Sequence, residues 1–151
     1  MSVYLTDVSE KVCVKRLAAI ISGNNNLFVV SGGPVEIVEI IGIVRTVIQD
    51  KSCVVGYNFN PTLPTTDTAF ASTGLEIRTD AADTLYTWSG VVASALVENT
   101  NGVALGQAAN RLIVGTGSLE LAATVTTSAT GVIDFYLRYK PLCPGAIVNP
   151  A

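Results

Sequence analysis

The stretch GVIDFYLRY, residues 131 to 139, gives the strongest structural signal in the chain. Apolar side chains recur at every second position, which is typical of a β-strand with one buried face. The apolar face carries Ile133, Phe135, Leu137 and Tyr139. The other face carries Val132, Asp134, Tyr136 and Arg138. The stretch therefore predicts a strand near the C-terminus that packs one side against a core.

A second stretch, LFVVSGGPVEIVEIIGIVRTVIQ at residues 27 to 49, is the most apolar part of the sequence. Its 23 residues approach the length of a membrane-spanning helix. The Gly-Gly-Pro segment at residues 32 to 34 would interrupt such a helix. Glu36 and Glu39 would each cost about 2.5 kcal/mol or more inside a bilayer. We therefore expect no membrane span here.

β-Branched residues dominate the rest of this stretch, and their restricted χ1 angles favour a pleated strand over a helix. We predict a strand at Leu27–Ser31, a tight turn at Gly32-Gly33 and a long strand from Val35 to Gln49. Glycine at both turn positions permits the positive φ angles of a two-residue hairpin loop. The stretch is thus predicted to form a β-hairpin.

Both faces of the long strand carry apolar side chains if the alternation is strict. One face holds Val35, Ile37, Ile41 and Ile43. The other face holds Val38, Ile40 and Val44. A strand of this kind needs a cover on each side. One cover is the protein's own core, and we predict that Val38, Ile40 and Val44 form an oligomer interface.

Short strands separated by turns account for the remaining sequence. Val12–Ile21 is compatible with a strand or a short helix, and the alternation of its valines favours a strand. Further strands are predicted at Cys53–Phe59, 75–78, 85–88, Val91–Val97 and Arg111–Val114, with turns at 22–26, 79–83 and 126–131 and a proline-containing loop at 60–67. About nine short strands predict an all-β fold, an antiparallel sandwich or barrel. Residues 1–151 are predicted to form one domain, with 1–11 a possible N-terminal arm.

The composition points to assembly. Charged residues make up 14% of the chain, against about 25% in typical soluble domains. The mean hydropathy is +0.48. One small core does not readily hide this much apolar surface, so we expect oligomerisation or docking onto a larger body. A very compact barrel is the alternative.

The charge of the chain and the order of its N-terminal residues argue against nucleic-acid binding and against a signal peptide. The net charge is −3, and Lys15-Arg16 is the longest basic run, so a basic patch for nucleic acid is not expected. In the N-terminal sequence the acidic residues precede the basic ones, and only five apolar residues follow Arg16. This is not the order of a signal peptide, and we expect the chain to stay where it is made.

The residue types limit the possible chemistry. The chain has no histidine, which excludes Ser-His-Asp, Cys-His and histidine-metal sites. Cys13, Cys53 and Cys143 are far apart in the sequence and are predicted to be reduced, mostly buried thiols. We therefore predict no cofactor, no metal and no catalytic residue.

Two fragments are similar to catalytic motifs. Asp67-Thr68-Ala69 and Asp83-Thr84-Leu85 resemble the D-T/S-G turns of aspartic proteases, but the glycine is missing. Gly131–Arg138 is similar to one dUTPase motif, but no glycine-rich phosphate loop follows it. Both fragments are better explained as turn residues and an amphipathic strand.

Two stretches together resemble a known family. LFVVSGGPVEIVEIIGIV (27–44) and GVIDFYLRYKPLCPGAIV (131–148) are similar to the opening and closing segments of small virion proteins of tailed bacteriophages, in the capsid decoration class. The resemblance covers 36 of the 151 residues. It implies a non-enzymatic β-rich homotrimer that sits on the phage head and contacts the major capsid protein. A receptor- or carbohydrate-binding module of a phage tail or fibre is the alternative.

Overall fold

The computed structural model describes residues 9–64, 66–100, 102 and 112–151. This part of the chain contains nine β-strands and no helix, so the predicted all-β class is confirmed. The strands are β1 (Lys11–Ser31), β2 (Val35–Thr46), β3 (Cys53–Pro61), β4 (Thr68–Glu76), β5 (Leu85–Thr87), β6 (Val97–Asn99), β7 (Leu112–Val114), β8 (Gly117–Pro141) and β9 (Ile147–Pro150).

The 25-residue strand β8 is central to the sheet and pairs with β1, β2 and β3. Along one edge it pairs antiparallel with β1, from Lys11 opposite Tyr139 to Val30 opposite Gly117. Along the other edge it pairs with two strands in succession. Its N-terminal half pairs with β3, and its C-terminal half pairs with β2. β8 therefore joins β1 on one edge to β2 and β3 on the other edge, in a single sheet.

The sheet curls into a nearly closed barrel. Its hydrogen-bonded order is β4-β3-β8-β2-β5-β6, with β9 on β1 and β7 on β2. On one side, Ser72 in β4 forms an isolated bridge with Ala95, just before β6. The inward faces of the strands form one core that includes an aromatic group. Tyr57 stacks on Phe70 at 5.6 Å, and the Phe70 ring meets Trp88 edge-on at 5.5 Å.

The predicted hairpin is wrong, although its turn exists. β1 pairs with β8 and β9, and β2 pairs with β5, β7 and β8, but β1 and β2 do not pair with each other. The Gly32-Gly33 turn instead leads from β1, on one edge of β8, to β2, on its other edge. A Cβ atom at Gly32 would lie 2.0 Å from the carbonyl oxygen of Gly145, so a C-terminal loop packs directly on the turn. The long β8 edge supplies the pairing that the hairpin would have made.

Two predicted turns are also wrong. Residues 22–26 lie within β1, and residues 126–131 lie within β8. β1 bends through register shifts, one of them between Ile21 and Gly23. There the amide of Asn25 replaces backbone partners: it accepts from the Ile21 N–H at 3.0 Å and donates to the Leu121 carbonyl at 3.2 Å. A polar side chain that indicated a turn thus satisfies backbone groups at a bulge within β1.

Other boundaries were predicted with mixed success. Strands at Val12–Ile21 and Cys53–Phe59 are confirmed within β1 and β3. The strand predicted at Val91–Val97 is wrong, because β6 begins only at Val97. Arg111 and residues 1–8 of the predicted arm lie outside the described residues, while Lys11 already begins β1.

Candidate functional site

A bulge at Val38 decides which side chains of β2 face the core. In the pairing with β8, Ile37 lies opposite Tyr139 and Glu39 lies opposite Arg138, so Val38 is an extra residue. An extra residue reverses the inward and outward faces of everything that follows it. The two faces predicted under strict alternation are therefore mixed in the folded chain.

The three residues predicted to form an oligomer interface are covered by the chain itself. Ile40 is 1% exposed and Val44 is fully buried, both within the core cluster. Val38, at the bulge, is 6% exposed. A partner cannot reach these side chains in this conformation. The prediction of self-association stays a prediction, because other apolar residues of β2 face outward.

The sequence did contain a signal for this bulge. Glu36 and Glu39 are three positions apart, so strict alternation would send one of them into the core. The bulge instead places both glutamates opposite basic residues of β8: Glu36 pairs in register with Lys140, and Glu39 with Arg138. Two acidic residues at an odd spacing in a strand thus indicate a bulge between them.

The outward-facing apolar residues form a row across β1, β8 and β2. Val14 lies opposite Tyr136, and Tyr136 lies opposite Ile41 on the next strand. Val12 lies two residues before Val14 on β1, and Ile43 lies two residues after Ile41 on β2. We call these five residues, Val12, Val14, Ile41, Ile43 and Tyr136, the outer face. The Val12 and Val14 side chains are 63% and 45% exposed, whereas Tyr136, Ile41 and Ile43 are partly buried. The outer face is therefore most open to a partner at its β1 end.

Ion pairs border the outer face on one side. The guanidinium of Arg16 donates to both carboxylate oxygens of Asp134, at 2.7 and 2.9 Å. Arg45 donates to the same carboxylate at 3.1 Å and to the Tyr136 hydroxyl at 3.1 Å. The bonds from Arg16 and Arg45 hold the pKa of Asp134 below its ordinary value, although burial opposes this shift.

A second ion-pair group borders the other side. Arg138 donates to Glu39 at 3.1 Å and also to Glu10, and Lys140 lies 3.8 Å from Glu10. The charges around the apolar row are therefore paired within the surface. A partner that covers the row would not leave these charges without counterions.

The aspartates of the two protease-like stretches, Asp67 and Asp83, have different partners. Asp67 accepts amide hydrogen bonds from Asn24 and Asn58, whereas Asp83 lies 3.8 Å from Arg45. No hydrogen bond or ion pair among the described residues joins the two aspartates. Asp134, in the dUTPase-like fragment, is held by arginines on the outward side of β8.

Burial raises the pKa of two of the three thiols. Cys13, Cys53 and Cys143 are free cysteines, and burial raises the pKa of Cys53 to about 11. Burial also raises the pKa of Cys13. Cys143 is half-buried, and its Sγ lies 3.7 Å from the Gly32 carbonyl oxygen. Thiols with a raised pKa remain protonated near neutral pH and are weak nucleophiles.

Within the described ranges, no three His, Cys, Asp or Glu residues come together in a group that could hold a metal ion. Those same ranges include no helix that is long and apolar enough to cross a membrane. No protein-family model, curated protein or solved structure matches the chain. The chain's own surfaces are therefore the basis on which its function is inferred.

Proposed function

We propose that this protein is a non-enzymatic structural component of an assembly, and specifically an oligomeric capsid decoration protein of a tailed-phage virion. In this role it forms a homotrimer, contacts the major capsid protein and stabilises the head by burying surface. The two phage-like stretches of sequence support the assignment to virions. The observation that carries the assembly role is the outward-facing apolar row Val14–Tyr136–Ile41, which is exposed at Val14 and partly buried at Tyr136 and Ile41.

The surroundings of this row suit burial. Removing apolar surface from water stabilises a complex by about 25 cal/mol per Å². Burying an unpaired charge would oppose this gain. Around the outer face, the Arg16–Asp134 and Arg138–Glu39 pairs are already formed within the chain. An apolar centre with paired charges at its rim is the usual anatomy of a stable interface.

The edge of β1 adds a second means of association. Its residues 11–26 pair with β8 on one side, and no described strand pairs with their other side. An unpaired edge presents backbone donors and acceptors to another chain. Val12 and Val14 lie on this same edge, so edge pairing and burial of the outer face would occur together.

The tail-module alternative has less support. An aromatic platform for sugars needs a cluster of exposed rings, but Tyr57, Tyr86 and Trp88 are buried in the core and Tyr136 on the outer face is only partly exposed. We therefore favour the assembly role.

Light scattering after size exclusion tests the self-association. We expect a mass of about three times 15.7 kDa for the wild-type chain. Val14→Asp should give a folded monomer, because it places a charge at the exposed β1 end of the outer face, beside the unpaired strand edge. Val97→Asp is the matched control, since Val97 is 41% exposed against 45% for Val14 but lies on β6. A monomeric wild type, or an unchanged mass for Val14→Asp, would contradict the proposed interface.

Co-sedimentation tests the capsid partner. Heads assembled from the major capsid protein encoded nearest to this chain's gene should bind it to saturation at a fixed ratio to capsomers. Val14→Asp and Val97→Asp are compared with wild type in the same assay. A trimer that shows no binding to these heads would retain the assembly role but remove the decoration role.

A further inference from the structure

An apolar pocket of about 330 Å³ opens between the end of β3, the start of β4 and β7. The loop at Leu63–Pro64 closes one side of it, and Val114 contributes from β7. None of its lining residues belongs to the outer face. The pocket is therefore a separate feature of the molecule, and it does not depend on the proposed assembly role.

The lining that the described residues form is uncharged. Two aromatic rings, Phe59 and Phe70, form part of the wall, and the threonine hydroxyls of Thr66 and Thr68 are its polar side-chain groups. No Asp, Glu, Lys or Arg is among the described residues that line it. A charged ligand would lose its hydration here without gaining a counterion, so the pocket selects for neutral groups.

The rim is the most exposed apolar surface of the described chain. Leu63 is 82% exposed and Ile113 is 64% exposed, the two highest values among its large apolar side chains. Both line this pocket. Two such residues around one concavity mark a binding site more strongly than scattered single residues do.

The inner wall is held rigidly. The ring of Phe70 stacks on Tyr57 at 5.6 Å and meets Trp88 edge-on at 5.5 Å. The indole N–H of Trp88 also donates to the Phe70 carbonyl at 3.1 Å. A wall that is already ordered costs little entropy when a ligand binds. Trp88 is the only tryptophan of the chain. Its ring contacts Phe70, which lines the pocket.

The volume indicates the size of the ligand. An apolar cavity of about 150 Å³ holds one benzene ring, and this pocket has about twice that volume. We propose that the pocket binds an uncharged, mainly apolar ligand with about two fused rings or an aliphatic group of equal bulk.

The neutral naphthalene dye prodan is a suitable probe. Its emission moves to shorter wavelength in apolar surroundings, and its absorption overlaps tryptophan emission. Titration of the full chain should give saturable binding of one dye per chain, with energy transfer from Trp88. Non-saturating binding, or binding without energy transfer, would overturn the proposal.

Two rim variants locate the site. Ile113→Asp and Leu63→Asp should each weaken prodan binding at least about tenfold, because a carboxylate then borders an uncharged ligand. Both positions are exposed, so either variant should fold. Val92→Asp is the matched control: Val92 is 60% exposed and does not line the pocket, so its replacement should leave the affinity unchanged. Equal affinity of wild type and both rim variants would place the dye elsewhere and exclude this pocket.

Discussion

The two halves of β8 each bury one carboxylate on the outward side of the barrel, and they hold it in different ways. In the C-terminal half, Asp134 accepts hydrogen bonds from the charged groups of Arg16 and Arg45. In the N-terminal half, Glu120 accepts from the neutral amides of Asn58 and Asn60, at 3.4 and 3.5 Å. Among the described residues, no Lys or Arg bonds to Glu120.

The difference shows what stabilises each half. Hydrogen bonds between ionised groups are shorter and roughly twice as strong as neutral ones. The Arg16–Asp134 contact of 2.7 Å belongs to this class. Near Glu120, the Asn58 amide also donates to Asp67 at 3.1 Å, so one donor group serves two carboxylates. We infer that the C-terminal half depends on charge pairing, and the N-terminal half depends on close packing.

The largest expected effect tests the packing of the N-terminal half. In Gly56→Ala, the new Cβ atom would lie 2.5 Å from the Ser72 carbonyl oxygen, a backbone atom of the bulged strand β4. Because backbone cannot rotate away as a side chain can, we expect the free energy of unfolding to fall by about 3 kcal/mol or more. Denaturant-induced unfolding measures this loss.

The matched control lies in the other half. In Gly42→Ala, the nearest atom to the new Cβ is a ring carbon of Phe135 at 3.0 Å. A side-chain ring can give way more readily than a backbone carbonyl, so we expect a smaller loss of about 1–2 kcal/mol. If Gly42→Ala proved more destabilising than Gly56→Ala, the N-terminal half would not be the more tightly packed one.

The next effect tests the charge pairing. Asp134→Asn keeps the shape of the side chain but removes the charge that Arg16 and Arg45 share. We expect the free energy of unfolding to fall by about 1–3 kcal/mol, as for other hydrogen bonds to charged groups. Asp50→Asn is the control, because Asp50 pairs with Arg78 on an exposed part of the surface, where ion pairs contribute little. Equal melting temperatures for the two variants would contradict the role of Asp134.

The pH dependence of stability follows from the same contact. The pKa of Asp134 lies below its ordinary value of 3.8 in the folded chain. Its stabilising effect is therefore fully present above that value and is lost as the pH falls through the lower, folded-state pKa. Burial raises the pKa of Asp80, which has the opposite effect on stability. The readout is thus the difference between wild type and Asp134→Asn, which should shrink as the pH falls below about 4.

The sequence alone predicted strand character and one face well. Ile133, Phe135, Leu137 and Tyr139 are all at most 3% exposed, as their alternation indicates, because no bulge interrupts the inward face of β8 there. The predicted inward and outward faces of β2 were wrong, because one extra residue, Val38, reverses the alternation after it. Local pattern cannot show such an insertion unless a charged residue reports it, as Glu36 and Glu39 do.

Strand partners and the two buried carboxylates could not be predicted in the same way. Arg16 and Asp134 are 118 residues apart in the sequence, and their contact depends on the β1–β8 register. The Gly-Gly turn favours a hairpin locally, but β8 offers a longer edge to both flanking strands. The pocket at Leu63 and Ile113 likewise combines two distant segments. Nothing in either segment by itself indicates the other.

The smallest expected effect completes the comparison between the halves. Glu120→Gln removes a buried charge that no described cation neutralises. The glutamine can keep one carbonyl oxygen toward the Asn58 amide, so at most one long, weak bond is lost. We expect the free energy of unfolding to stay within about 1 kcal/mol of wild type, since a neutral hydrogen bond contributes about that much. A loss as large as that of Asp134→Asn, measured by thermal unfolding at pH 7, would show that the Glu120 charge itself stabilises the N-terminal half. The two halves would then depend on charge to the same degree, and the contrast between arginine and asparagine partners would have no energetic consequence.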